Sequence, residues 1–461
     1  MHLDDTITAI STPPGEGGIG IIRISGENAL LIGEKVFVSV NDKKLGEMDS
    51  YTMAYGYIKN PKTKEILDEV IVSVMLAPKT YTRENIIEIN CHGGVIAVKR
   101  ILELVLENGA RLAEPGEFAR RAFVNGRIDL AQAEATIDVI RSQTEKSLQS
   151  ALGQLEGGLS RKIQELREML IFMLAHLEAS IDFPEEDIEE MEYAELLNRG
   201  QELDLQLERM ISLADQGKII REGLKTAIIG RPNVGKSSLL NALLQEKRAI
   251  VTDIPGTTRD AIEEVVNVRG IPVKIIDTAG IRETDDLVEQ IGVDKAKEYL
   301  DKADLVLFLL NNNESLSQQD EEIFALLKNK KKIILLNKTD LEGILDRDEV
   351  IKRAEGAPIV ELSLKEEKGL EELASVLESL FFSGSVEETD QIMVTNVRHK
   401  NLLQQAKSSL QEALNALNTN LSPDLVSIDL KNTLFALGEI TGETVSDDIM
   451  DKIFSQFCLG K

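Results

Sequence analysis

Over the first 119 residues the apolar positions fall in short runs, GIGIIRIS, TMAYGYI, EVIVSVML and NIIEIN, separated by turn-forming residues. Runs of that length predict strands, and the one longer amphipathic stretch, VIAVKRILELVLENG, predicts a helix among them. Residues 1–119 therefore read as an α+β domain. The glycine clusters TPPGEGGIG, residues 12–20, and NCHGG, residues 90–94, are expected to be turns.

From PGEFARRAF onward the period lengthens. Ile137, Ile140, Leu148, Ala151, Leu155, Leu159, Ile163, Leu166, Leu170, Leu174, Leu177 and Ile181 recur every three or four residues, which places one apolar stripe along long helices. The stripe should break at Gly157 and Gly158 and stop at Asp182, Phe183 and Pro184, where the acidic EEDIEE begins a solvated loop. A further helix is expected from about Tyr193 to Gln216. Helical spacing resumes after an SGS linker at 383–385, with Leu402, Leu403, Ala406, Leu410, Ala413, Leu414 and Leu417, then Leu434, Leu437 and Ile440. Helical sequence on both sides makes residues 221–382 an insertion into one helical domain, whose two parts are 120–220 and 383–461.

Inside the insertion, the apolar run LKTAIIG leads into GRPNVGKSS and then into the helical SSLLNALL. Strand, glycine-rich loop and helix in that order form a phosphate-binding loop: Gly230 and Gly235 let backbone amides point inward, Lys236 offers charge to the β and γ phosphates, and Ser237 offers a hydroxyl to Mg²⁺. IIDTAG brings Asp277, which can hold Mg²⁺ through water, and Gly280, whose amide can meet the γ phosphate. Thr258 in TDIPGTTRD can complete the Mg²⁺ shell. ILLNKTD ends in Asn337, Lys338 and Asp340; a carboxylate there accepts from guanine N1–H and its 2-amino group, and adenine offers neither, so the site should select GTP over ATP. Ile281 stands where Ras-type enzymes carry the water-orienting glutamine, so hydrolysis needs another group, with Glu283, Asp285, Asp286 and Glu289 as candidates. Asn233 and the oxygen-rich TDIPGTT can hold a monovalent cation where other GTPases use an arginine finger.

A formal charge of −27 argues against broad electrostatic binding to nucleic acid, so RNA must be gripped locally or through a partner's basic patch. With 4% aromatics and no tryptophan, no RNA-binding motif of stacked aromatics is visible. No apolar run approaches a membrane span and MHLDDTITAI lacks a signal-peptide pattern, which makes the cytoplasm the expected compartment. Cys91 and Cys458 form no disulfide framework and no zinc spacing, and His2, His92, His176 and His399 make no cluster. Arg23 and Glu88 alternate with isoleucines, and read either as pocket residues or as a paired charge on an open sheet face. The terminal CLGK, taken alone, reads as a mobile tail.

Together NVGKS, TDIPGTTRD, DTAGIRE, NKTD and the two ends of the chain resemble, over its whole length, the MnmE (TrmE/ThdF) family of bacterial tRNA uridine-modification GTPases. The resemblance implies a multidomain α+β and α/β protein: an N-terminal α+β folate-binding-like domain that pairs with a second copy, an all-α helical domain, and an inserted P-loop α/β GTPase domain. GTP/GDP contacts are expected from Asn233, Val234, Gly235, Lys236, Ser237 and Ser238, from Thr252, Asp253, Ile254, Pro255, Gly256, Thr257 and Thr258, and from Asp277, Thr278, Ala279 and Gly280. Asn337, Lys338, Thr339 and Asp340, with Ser363, Leu364 and Lys365, are expected to complete the guanine site. The resemblance puts K⁺ on Asn233, Thr252, Ile254 and Thr257, Mg²⁺ on Ser237 and Thr258, and catalysis on Lys236, Glu289 and Cys458. It puts a tetrahydrofolate one-carbon derivative, 5-formyl- or methylene-tetrahydrofolate, on Arg23, Glu88, Arg127 and Lys461; family members often carry lysine at the third of these, and arginine keeps the charge. It further implies a homodimer, tRNA as substrate, the FAD-dependent partner MnmG, and a carboxymethylaminomethyl or aminomethyl group added at C5 of the wobble uridine. The competing expectation is a regulatory GTPase switch, such as a ribosome-assembly factor, with no chemistry on RNA.

Overall fold

A computed structural model describes residues 5–182, 190–246, 264–276, 300–382, 394–419 and 421–460. The amino-terminal strands β1 (Ile7–Ile10), β2 (Gly17–Ser25), β3 (Phe37–Ser39), β4 (Thr52–Lys59), β5 (Ile66–Met75), β6 (Ile86–Gly93) and β7 (Arg111–Leu112) form one sheet in the order β3-β4-β5-β6-β2-β1-β7. Neighbours are antiparallel except β1 and β7. Alternate residues Ile22, Ile24, Val70, Val72, Val74, Ile87 and Ile89 point to one face, where α1 (Ala29–Val36) and α2 (Val95–Glu107) cover them. The other face leaves Ile19, Met53, Tyr55 and Ile71 exposed. The glycine clusters are turns only in part: residues 12–16 bend as expected, and strand begins at Gly17. Gly17 pairs with Gly93 and Gly20 with Cys91, so much of each run is strand, and the register shift between Gly17 and Gly20 is the irregularity that their lack of side chains permits.

Among the described residues that follow are the helices α3 (Glu117–Val124), α4 (Leu130–Arg141), α5 (Glu145–Leu155), α6 (Gly158–Asp182) and α7 (Glu190–Glu222). Asp129 and Gln132 form a capping box at the start of α4, and Thr144 and Ser147 form one at the start of α5. The expected break falls at Gly157, the expected stop at Phe183 and Pro184 lies, with all of EEDIEE but Glu190, outside the described residues, and α7 runs longer than the apolar spacing indicated. Its length is set by packing: Leu203, Leu207, Met210 and Ala214 join Leu166 and Leu170 of α6 in one core with residues from beyond the insertion. Those come from α12 (Val397–Asn418) and α13 (Pro423–Thr441), through Leu403, Leu410, Leu430 and Leu437. Each fully buried leucine stabilises this core by roughly 2 kcal/mol. The last helix, α14 (Asp447–Phe454), leaves that core and packs with Phe457 against α3 and α4.

Within the insertion, β8 (Leu224–Ile229), β9 (Glu264–Val268), β10 (Ile271–Ile275), β11 (Leu305–Asn311), β12 (Lys332–Asn337) and β13 (Ile359–Glu361) form a sheet ordered β13-β12-β11-β8-β10-β9. All pairs are parallel except β9 with β10. Buried along its whole length, β11 is LVLFLLN, as a parallel strand covered on both faces must be. Helices with both ends among the described residues are α8 (Lys236–Glu246), α9 (Gln318–Leu326), α10 (Arg347–Ala354) and α11 (Leu370–Phe381). The chain steps from β8 to one side of the sheet and later returns to the other, and at such a switch point the carboxyl ends of the strands leave a crevice for a ligand.

Candidate functional sites: a nucleotide loop and a cationic cavity

The phosphate loop occupies that crevice, between β8 and α8. Asn233 is left-handed at φ 62° and Gly235 at φ 103°. A side chain on Gly235 would run into the Asn337 amide, which donates from Nδ2 to the Val234 carbonyl at 2.8 Å. Asn337 also accepts from the Leu364 amide at 3.3 Å, the Ser363 hydroxyl donates to Asp340 at 2.9 Å, and the Thr339 hydroxyl donates to the Leu362 carbonyl at 2.9 Å. Three segments far apart in sequence, 230–238, 337–340 and 363–365, thus meet at the ends of β8, β12 and β13. Lys236 is buried, and its ammonium donates to the Gly230 and Arg231 carbonyls at 2.9 and 2.8 Å, holding the loop from inside. Ser237 and Ser238 lie in the first turn of α8, where the positive helix end favours phosphate. Residues 252–258, 277–280 and 283–289, with the proposed Mg²⁺, K⁺ and water-orienting positions Thr252, Ile254, Thr257, Thr258, Asp277 and Glu289, lie outside the described residues.

A second site opens on the face of the amino-terminal sheet opposite α1 and α2, beside the strip where Phe118 of α3 covers Ile7 and Ala9. Arg23 and Glu88 are paired residues of β2 and β6, and Arg23 Nε donates to Glu88 Oε1 at 2.7 Å. They are at once an ion pair and the wall of a cavity of about 710 Å³, which Arg127 also lines. Lys79 and Arg83 add positive charge to it, and Tyr81, Pro78 and Met75 add flat or apolar surface. The 80–84 loop is fixed: Ser25 donates to Glu84 at 2.6 Å and pairs with Thr82 at 2.7 Å, and the buried Arg121 grips Glu84 at 3.0 Å. Burial pushes the Tyr81 phenol up, so it stays protonated, and its hydroxyl faces Thr136 without reaching hydrogen-bond geometry. A buried donor in that position is suited to a ligand. Sequence reading missed Lys79, Thr80, Tyr81 and Arg83, because a polar connecting loop has no periodicity to mark which of its side chains turn inward.

The carboxy-terminal residues are not a loose tail. Phe454 and Phe457 are buried with ring centroids 5.4 Å apart, and Arg141 donates to the Gln456 carbonyl at 2.8 Å. The Gly460 carbonyl accepts from Arg23 Nη1 at 3.1 Å and from the Ser11 hydroxyl at 3.2 Å, which brings the chain end to the cavity wall. Cys458 is exposed two residues earlier, and Lys461 lies outside the described residues. Burial pushes the other thiol, Cys91, up to about 11, which leaves it unreactive.

Residues 6–127 match the family described as GTP-binding protein TrmE N-terminus, and residues 130–458 match the MnmE helical domain. Curated relatives called tRNA modification GTPase MnmE include those of Alkaliphilus oremlandii, 53% identical over 100% of both chains, and Geobacillus thermodenitrificans, 54% identical over 99% of both. That of Clostridioides difficile is 52% identical over 100% of both. Among solved structures, the G domain of the T. maritima FeoB iron transporter is 31% identical, covering 34% of this chain and 98% of its own, with a TM-score of 0.25. Half of the sequence shared from end to end with such relatives, and two family matches that between them take in nearly every residue, mean that this chain belongs to the MnmE family of tRNA modification GTPases.

Proposed function

We propose that this chain is a K⁺-activated GTP hydrolase of the cytoplasm that, as a homodimer and with the FAD-dependent partner MnmG, adds a carboxymethylaminomethyl or aminomethyl group to C5 of the wobble uridine of certain tRNAs. The observation that carries the reading is that Arg23, Glu88 and Arg127 line one cavity, with Gly460 of the chain end hydrogen-bonded to Arg23. Such a lining suits a reduced folate. Glu88 can accept from the N–H groups of the pterin, Tyr81 and Pro78 can flank its ring, and Lys79, Arg83 and Arg127 can attract the carboxylates of its tail. When bound, the folate would supply the one-carbon unit. Lys461 would reach it, and Cys458, carried close by the anchored terminus, would assist as a thiolate.

At the nucleotide site, Lys236 would neutralise the β and γ phosphates and Asp340 would read guanine. Ser237 and Thr258 would hold Mg²⁺, while Asn233, Thr252, Ile254 and Thr257 would hold K⁺, with Glu289 orienting water. The left-handed Asn233, at φ 62° in the phosphate loop, is compatible with an amide oxygen turned to a cation. The working division of the chain is 1–119 for folate and pairing, 120–220 and 383–461 for the helical body, and 221–382 for GTP. The exposed Ile19, Met53, Tyr55 and Ile71, on the sheet face that carries the cavity, favour pairing through that face. Closing and opening of paired G domains would then control the transfer.

Mass spectrometry of tRNA nucleosides from cells lacking this protein tests the reading. C5-modified wobble uridine should disappear and return on complementation; an unchanged nucleoside profile would overturn it.

A further inference from the structure

The chain enters the inserted domain after α7 and leaves it before α12, and both crossings are held by side chains of α4 and α5. At the entry, Arg221 Nε in the last turn of α7 donates to Asp138 Oδ1 of α4 at 2.8 Å. At the exit, Asn396 donates to Glu134 Oε1 of α4 at 3.0 Å, and the buried Gln154 of α5 donates to the Thr395 hydroxyl at 2.9 Å. The two crossings also touch each other: a side chain on Gly217 would strike the Val394 backbone. A third tie reaches the G domain itself, where Lys146 of α5 stands 3.6 Å from Glu378 of α11.

Glu134 and Asp138 are four residues apart and share one face of α4. Thr136, halfway between them, projects from the opposite side of the helix and lines the Arg23 cavity. Asp129, the N-cap of α4, lies two residues after Arg127 of that cavity. One rigid helix of ~18 Å therefore grips both strands of chain leading to the nucleotide on one side and walls the cavity on the other.

We propose that α4 is the coupling element between the two sites, with Asp138–Arg221 as its latch: G-domain movement pulls on Arg221 and Asn396, and the shift of α4 moves Thr136 and Arg127 at the cavity. This rests on the reading of the cavity as a folate site. Asp138 and Arg221 act here as positioning residues, touching neither nucleotide nor folate. Because linkage is reciprocal, nucleotide state must then change folate affinity by the factor by which folate changes nucleotide affinity.

The test uses the full chain and its Asp138→Asn and Arg221→Gln variants in K⁺. Affinity for 5-formyl-tetrahydrofolate is measured with and without GDP and aluminium fluoride, and hydrogen exchange is followed in α4. In the unsubstituted protein the mimic should change folate affinity by about fivefold or more and alter exchange in α4. Each variant should bring the affinity ratio near one, with GTP hydrolysis within about twofold of the parent, an outcome that general loosening would not give. An unchanged ratio in the variants, or a ratio of one in the parent, overturns the proposal. If the parent binds no folate, the cavity reading fails, and exchange in α4 decides the coupling: a nucleotide response lost in the variants supports it, and no response overturns it.

Discussion

Glu134 and His399, 265 positions apart in sequence, share a hydrogen bond of 2.7 Å in the buried core where α4 meets α12. Burial opposes a charge on Glu134, but bonds to His399 and Arg398 outweigh it and hold the carboxyl at about 2, against an ordinary 4.5. Burial pushes the His399 imidazole below its ordinary 6.5 against the pull of Glu134, so the ring is neutral and donates from Nε2 to a carboxylate that can only accept. Both groups bind fewer protons folded than unfolded, and stability therefore rises with pH. Acidification should cost stability from about pH 6.5 downward as the buried His399 takes up a proton, and again below about pH 4.5 as Glu134 does. Thermal unfolding should show the melting temperature falling between about pH 7.5 and 5.5, with a smaller fall in His399→Gln, which keeps a donor and removes the titration.

Gly235→Ala should cripple nucleotide binding. The new methyl group strains a left-handed residue and pushes on the Asn337 amide, breaking the bond that ties β12 to the phosphate loop. Strain and a lost buried hydrogen bond together cost about 3 kcal/mol, so GTP affinity should fall by roughly 100-fold, read by fluorescent-nucleotide titration. Melting of the helical core should be unaffected, since its apolar cluster lies elsewhere.

Asp340→Asn should exchange the preferred base. An amide in place of the carboxylate loses the paired acceptance from guanine, worth about 3 kcal/mol or roughly 100-fold in affinity, and gains an N–H that suits the 2-oxo group of xanthine. Hydrolysis of GTP should fall at low nucleotide and hydrolysis of xanthosine triphosphate should appear. The Ser363 hydroxyl that now donates to Asp340 can serve the new side chain equally.

The loop between β8 and α8 was legible because its signal is local: Gly230, Gly235, Lys236 and Asn337 sit in short runs at fixed spacing, and the fold brings those runs together. Periodicity likewise marked the helical core, since Leu166, Leu170, Leu403 and Leu410 repeat at the helical interval on both sides of the insertion. The cavity was legible only as single charges on strands. Nothing local in the sequence brings Arg127 and Tyr81 to Arg23, or Gly460 to the same wall; those meetings come from tertiary packing of α3, α4 and α14. Residues 91–93 escaped as strand for the opposite reason, because a cysteine, a histidine and a glycine that look like a turn continue the ladder of NIIEIN to the pair of Gly93 with Gly17.

Potassium should matter through Asn233. GTP hydrolysis is expected to be at least about tenfold faster in K⁺ than in Na⁺, the size of a charge-stabilising contact worth roughly 1.4 kcal/mol. Asn233→Ala should remove the difference while leaving GTP binding within a few-fold. Equal rates in the two salts for the unsubstituted protein would discard the cation site.

Two changes at the chain end should separate chemistry from placement. Cys458→Ser leaves the backbone path intact and should abolish uridine modification with GTP hydrolysis spared; full retention of modification would remove the thiol from the mechanism. Gly460→Ala acts differently. Gly460 is left-handed at φ 88°, and a side chain there would strike the Ile10 carbonyl, so the terminus must lift from β1 and release the bond from its carbonyl to Arg23. The strain is about 1–2 kcal/mol, and a partly undocked end should lower modification by roughly ten-fold without eliminating it. Folate affinity should fall in parallel, because Arg23 loses the contact that orients it beside Glu88. If Gly460→Ala modifies tRNA at the full rate, the docked terminus is a packing feature, and the bond between Arg23 and Gly460 plays no part in the reaction.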